Sequence, residues 1–273
     1  MTTDGNDGRL RDVAGRKIFF FDRDGTVCLG KRIIDGAARL LELLKARGIP
    51  YYVCTNNSSR TAAEHWERLA SLPLTAEDIA VSTDATIAHL RAVGIDRIHL
   101  LATESVTRHF RDEGFTLTDE DPGAAVLTYD NEITYAKIRR FVEVLRTDVP
   151  YFATHIDLLY PYEGGFLPDI GTYATMFASA TGRRPEASFG KPNFALVDHL
   201  LARHGLTAAD AVVVGDRLYT DIALAEGTEM LSVLVLSGET MRGDLEAADH
   251  RPDVVIDSVA DLCPLFENDR TVA

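Results

Sequence analysis

A doubly wound α/β fold is what this 273-residue chain predicts, and two observations carry the prediction. Short apolar runs, several of them ending on Asp, Thr or Gly, alternate with stretches of helical character. A second group of such runs lies in the middle of the chain, which predicts a smaller α/β unit inserted within the first rather than appended to it.

The elements follow in order. Residues 1–14 are polar and rich in Gly and Asp, the composition of a loose tail. Lys17 to Phe21 is a compact aromatic run ending at Asp22, suited to a parallel strand buried on both faces. Asp35 can cap a helix whose apolar face holds Leu40, Leu41 and Leu44 and which Gly48 stops. Tyr51 to Cys54, Ile79 to Val81, Ala211 to Val214, Leu231 to Leu236 and Asp253 to Ile256 supply the remaining core strands, with a helix expected over Asn193 to His204. In the middle, Ile98 to Leu101, Ala124 to Tyr129 and Tyr151 to Ala153 alternate with helical stretches at Glu104 to Glu113, Thr134 to Arg146 and Gly171 to Thr181. Core segments 15–83 and 184–265, an insert at 84–183 and tails at 1–14 and 266–273 are therefore expected. No solenoid-like repeat or low-complexity tract is present.

Forty-two acidic and 28 basic side chains give a net charge of −14, which disfavours nucleic acid and anionic membrane as partners. The same field repels an anionic substrate, so a phosphate-binding site in this chain needs a metal ion and a local cation. Cys28, Cys54 and Cys263 are odd in number and widely spaced, which fits neither a disulfide framework nor a zinc knuckle. With no signal-peptide pattern and no apolar stretch near the roughly 18 residues of a membrane span, the expected compartment is the cytoplasm.

Four motifs lie just after predicted core strands or in the loops beside them, the edge at which open α/β sheets bind ligands. In Asp22-Arg23-Asp24-Gly25-Thr26, residues two apart on an extended strand end point the same way, so Asp22 and Asp24 can face one volume and need a cation or proton between them. An Asp-Gly turn leaving a strand is the plainer alternative. Thr55-Asn56-Asn57-Ser58-Ser59-Arg60 offers short polar side chains and helix-start amides as an anion cradle, or else a plain helix cap. Gly190-Lys191-Pro192-Asn193 offers a compact cation. Gly215-Asp216-Arg217, followed by Asp221, puts a carboxylate directly after an apolar run, a costly place unless a metal or donors meet it. Hard oxygen ligands from Asp22 and Asp216 suit Mg²⁺.

Taken in order, these four motifs resemble those of the haloacid dehalogenase (HAD) superfamily. The run Thr55 to Arg60, the Gly-Asp-Arg-Leu form of the last motif and the position of the insert resemble its class IIA branch of NagD-like and p-nitrophenylphosphatase-like enzymes. The resemblance implies a Rossmann-like core carrying an α/β cap, and a Mg²⁺-dependent phosphatase that acts on a small-molecule phosphate monoester such as a sugar phosphate or nucleotide. It assigns Asp22 as the nucleophile that forms an aspartyl-phosphate and Asp24 as general acid, then base. Thr55 and Lys191 hold phosphoryl oxygens, with Asn56 and Asn193 around them. Mg²⁺ falls to Asp22, the main-chain carbonyl of Asp24 and Asp216, supported by Asp221 and Gly215. Members with this cap occur as monomers and as cap-mediated homodimers. A phosphoryl transferase or mutase on the same core, or a non-catalytic phosphate-binding module, are the competing readings. The sequence departs from the pattern at Arg23, expected to point to solvent or toward the cap, and at His155, where Asn is usual. His155, Asp157 and Asp169 are candidate specificity residues beside a long expected loop from Leu158 to Gly171.

Overall fold

The computed structural model describes residues 3–162 and 165–267. The chain divides into two compact units, one of residues 1–55, 65–80 and 197–273, the other of residues 56–64 and 81–196.

The first unit is built on a six-stranded sheet. Its strands in chain order are β1 (Ile18–Asp22), β2 (Tyr51–Thr55), β3 (Ile79–Val81), β4 (Ala211–Gly215), β5 (Leu231–Val235) and β6 (Val254–Ile256). Their spatial order is β6-β5-β4-β1-β2-β3. The four pairings from β6 to β2 are parallel. Phe19, Phe20 and Phe21 are buried although they point alternately to both faces, because apolar side chains cover each side of the sheet. Phe19 meets Phe266 edge to face and Phe20 stacks on Tyr52. The chain runs outward from β1 through β2 to β3, then resumes on the other side of β1 at β4. The sheet thus reverses direction between β1 and β4, and at such a point the chain leaving two neighbouring strand ends parts and opens a crevice.

The helix Ala37–Ala46 buries Ala37, Leu40, Leu41 and Leu44, the spacing of a core-facing stripe. It begins at Gly36 rather than being capped by Asp35: Gly36 sits in the left-handed region (φ 86°) and no side chain caps the first turn. The backbone of Gly36 lies against Ala260, where a side chain would clash. Gly48 closes the helix, donating its N–H to Lys45 O.

Three further differences from the sequence expectation lie in this unit. Thr3–Ala14 is a helix, not a loose tail. Leu10, Val13 and Ala14 recur at helical spacing and Val13 is buried, which outweighs the Gly/Asp-rich start. Cys28–Leu29 and Arg32–Ile33 pair as a small hairpin after β1. Phe266, placed in the C-terminal tail, is instead buried at the end of the helical turns Val259–Phe266; residues 268–273 of that tail lie outside the described residues.

The second unit has a five-stranded sheet of Ala187–Ser188, Tyr151–Ala153, Ala124–Leu127, Arg97–Leu101 and Thr116–Leu117, in that spatial order and all parallel. The helices Tyr135–Leu145 and Ile170–Thr181 pack Phe141, Leu145, Ile170 and Phe177 onto Leu127 and Tyr151. The two shortest strands escaped the sequence reading because two residues carry no periodic signal. Leu158 to Gly171, expected as a loop, holds an antiparallel hairpin of Leu159–Tyr162 and Gly165–Pro168, on which Leu159, Phe166 and Leu167 are exposed. No described helix is long and apolar enough to cross a membrane.

Candidate active site

Asp22 ends β1, and Gly215, directly before Asp216, ends β4. These strands are paired with Phe21 beside Val214, so the two chain exits lie at one level on either side of the reversal. Carboxylate oxygens of Asp22, Asp216 and Asp221 all come within 4.8 Å of one another. Asp216 and Asp221 are buried, Asp22 only partly.

The backbone around Asp216 is built for close approach. A Cβ on Gly25 or Gly238 would overlap the Asp216 carboxylate, and one on Gly215 would overlap Asp221. Gly25 also carries a positive φ of 93° that turns the chain after β1. Asp221 lies in a π-helical turn, Leu218–Ile222. It accepts the Arg217 N–H at 3.0 Å, so its carboxylate folds back toward the strand end. Asp216 Oδ2 accepts the Glu239 N–H at 2.6 Å, whereas the buried Oδ1 has no hydrogen-bond partner among the described residues. Burial, with the negative charges of Asp22 and Asp221 behind it, pushes the Asp216 carboxyl up to about 8.

Three crowded carboxylates and an orphaned buried oxygen form an arrangement that a divalent cation satisfies. The donors are all hard oxygens, the set that Mg²⁺ takes. The residues present therefore fit the ion that the sequence implied.

Asp24 departs from the simple alternation argument. β1 ends at Asp22, and beyond it the chain turns, with Val27 and Cys28 N–H groups both donating to Arg23 O. The Asp24 carboxylate is not one of the three clustered groups; Arg23 Nη1 donates to both of its oxygens, at 2.7 and 2.8 Å. Arg23 is 4% exposed. Of the two expected directions, the one to solvent is thus corrected: a guanidinium beside a carboxylate in a tight turn pairs with it rather than staying hydrated.

The second motif divides at the strand end. Thr55 is the last residue of β2 and belongs to the first unit, while Asn56 to Ser59 belong to the second, where most of their side chains do structural work. Asn56 accepts the Lys191 N–H at 2.8 Å and donates to Lys191 O at 3.0 Å and to Asp157 at 3.2 and 3.3 Å. Asn57 Oδ1 accepts from Ser59 N and Oγ. Ser58 Oγ accepts the Tyr129 N–H and lies 2.7 Å from Thr154 Oγ1. The Asn56 amide thus clamps the main chain of the buried Lys191. Asn193 is exposed; its Oδ1 accepts from Ala195 N at the start of the helix Ala195–His204 and its amide donates to Ser188 O.

His155, Asp157 and Asp169 are buried together in the second unit, their ligand atoms mutually within 4.8 Å. Asp169 caps the helix Ile170–Thr181 through Ile170 N and sits 3.1 Å from His155 Nε2. Gly190 packs against His155 and Asn56, since a Cβ there would lie 2.5 Å from Asn56 Oδ1 and 2.9 Å from His155 Cβ. The residues missed by sequence reasoning are Ser237, Gly238 and Glu239 after β5. Their only signal was a Ser-Gly pair following an apolar run, which any turn shares.

With this geometry in view, the comparisons with known proteins are specific. Family profiles described as Haloacid dehalogenase-like hydrolase and HAD-hydrolase-like match residues 19–116 and 188–262. The crystal structure of 4-nitrophenylphosphatase from Thermotoga maritima superposes with a TM-score of 0.89 at 33% identity, covering 93% of this chain and 98% of that one. The chain belongs to the haloacid dehalogenase-like hydrolases. Within that family it is a phosphatase of the branch that holds NagD and the p-nitrophenylphosphatases. A 5'-nucleotidase of Bacillus subtilis is 29% identical over 91% of this chain and 98% of its own length. A glycerol phosphate phosphatase of Mycobacterium tuberculosis, solved in complex with magnesium, is 29% identical with a TM-score of 0.82, covering 92% of this chain and 77% of that one.

Proposed function

We propose that this phosphatase is a magnesium-dependent phosphomonoesterase that works through an aspartyl-phosphate on Asp22 and takes a small organic phosphate ester. The observation that carries the reading is the meeting of Asp22, Asp216 and Asp221 at the sheet's reversal, with Asp216 Oδ1 left without a hydrogen-bond partner among the described residues.

Asp22, Asp216 and the main-chain carbonyl of Asp24 would hold Mg²⁺, with Asp221 supporting the metal or its waters. Bound there, the ion supplies the positive charge that lets one anion approach another. Two like charges at 4 Å repel by about 4 kcal/mol at an effective dielectric of 20, so Asp22 cannot approach a phosphate dianion unaided. Asp22 attacks phosphorus, the ester P–O bond breaks, and the leaving oxygen takes a proton from Asp24. Water then attacks the aspartyl-phosphate as Asp24 takes one of its protons. The Asp22–phosphorus bond breaks, and inorganic phosphate and the free carboxylate are restored. Thr55 and Lys191 take phosphoryl oxygens by their place in the motifs. Asn56 acts on phosphate indirectly, by fixing the main chain of Lys191. The named relatives point to a nucleoside monophosphate or glycerol phosphate as the ester.

The test is phosphate release from a panel of such esters with Mg²⁺ and with chelator. Activity should need the metal and fall to background in Asp22→Asn. An Asp22→Asn protein that still hydrolyses the same ester would refute the mechanism.

A further inference from the structure

Arg23 stands between the two aspartates of the first motif, and no role assigned so far uses it. Its side chain is 5% exposed, and that of Asp24 is 18% exposed. One nitrogen, Nη1, reaches both Asp24 oxygens at 2.7 and 2.8 Å. These two contacts anchor the carboxylate head against the buried guanidinium and limit where it can swing. The backbone makes this possible. Neighbouring side chains diverge on an extended strand, but the chain turns after Asp22, where the Val27 and Cys28 amides converge on Arg23 O and Gly25 takes φ 93°. The two side chains are thereby brought to one side. Arg23 is held by burial, while the Asp24 side chain keeps some exposure.

We propose that Arg23 is a positioning residue for Asp24: it holds the carboxylate in the one orientation from which a proton reaches the leaving oxygen. The inference rests on the role given to Asp24 above. An acid misplaced by about 1 Å can lose roughly 10²-fold in rate, so fixing its place has kinetic consequence. The effect on leaving-group departure is read in kcat/KM, which covers the steps through formation of the aspartyl-phosphate and excludes the later water attack that both esters share. That effect is large for an alkyl phosphate, whose alkoxide is a poor leaving group, and small for nitrophenyl phosphate, whose phenolate departs unprotonated.

The experiment is a double-mutant cycle on the purified full-length chain with Mg²⁺, using wild type, Arg23→Met, Asp24→Asn and the double variant, with glycerol phosphate and 4-nitrophenyl phosphate as probes. Arg23→Met should lower kcat/KM for glycerol phosphate by about tenfold or more and should lower kcat/KM for the nitrophenyl ester much less. In the Asp24→Asn background the same substitution should change kcat/KM by less than roughly twofold. Arg23→Lys, which keeps a donor, should recover part of the loss. An equal loss on both esters, or a loss that persists without Asp24, assigns Arg23 to folding alone and overturns the proposal. A gain in kcat/KM overturns it too, because Arg23 would then hold Asp24 away from the leaving group. Circular dichroism and thermal melts accompany each variant; if Arg23→Met does not fold, Arg23→Gln takes its place in the cycle. If Asp24→Asn alone leaves alkyl phosphate turnover intact, the role of Asp24 fails first, which separates the two ideas.

Discussion

Burial and two neighbouring carboxylates raise Asp216 from 3.8 to about 8. In the metal-free protein, between those values, the folded state holds a proton that the unfolded chain has released. Its stabilising contribution is complete below pH 4 and is lost as pH rises to 8. Thermal melts in chelator should therefore show a midpoint that falls over that range, a slope that Asp216→Asn flattens and that Mg²⁺ reduces. A midpoint insensitive to both would contradict the buried charge cluster. Gly238 tests the same oxygen sterically. Gly238→Ala drives a methyl group into Asp216 Oδ2, with an expected cost of about 1–3 kcal/mol. Gly243→Ala, where no atom lies within 4 Å of the added carbon, should stay within about 0.5 kcal/mol. Chemical denaturation of the pair gives the comparison.

Strand ends carry the chemistry, and the loops after them are fixed by polar side chains. Asn56 is the clearest case, because one carboxamide serves both main-chain groups of Lys191 and the Asp157 carboxylate. Asn56→Leu removes a partner from each of these buried groups, at about 1–3 kcal/mol for a group left unsatisfied. Hydrogen exchange of residues 188–193 should quicken, and KM for a phosphate ester should rise more than kcat falls. Unchanged exchange at Lys191 would show that the clamp is dispensable. The same loops show why this motif reads two ways. Thr55 to Arg60 looks like an anion cradle from composition alone. The structure spends Asn57 on its own turn and Ser58 on Tyr129 and Thr154. Short polar side chains suit an anion and a tight turn equally well, so residue type could not separate the two.

At the scale of the molecule the governing number is the net charge of −14. A phosphate ester approaches against that field, and salt screens it, with a Debye length of about 30 Å at 0.01 M and about 8 Å at 0.15 M. The value of kcat/KM at saturating Mg²⁺ should therefore rise by roughly a few-fold between those ionic strengths. A steep fall instead would mean that local cations outweigh the global charge along the approach. Each unit has a sheet and apolar core of its own, so this long-range term acts on a substrate rather than on either fold.

By itself the sequence determined the class of fold, the six core strands and the family. Apolar runs buried on both faces and four ordered motifs are local signals, and local signals survive without coordinates. It also picked out Asp22, Asp216 and Asp221. Only the tertiary structure decided that these three meet, because their contact depends on β1 and β4 lying side by side though nearly 200 residues apart in the chain. It also decided that Gly238 and Glu239 attend Asp216, that Arg23 turns inward to Asp24, and that residues 3–14 dock as a helix. Each of these is set by what packs opposite, and burial forces a charge or a chain end to find a partner that no single segment can reveal.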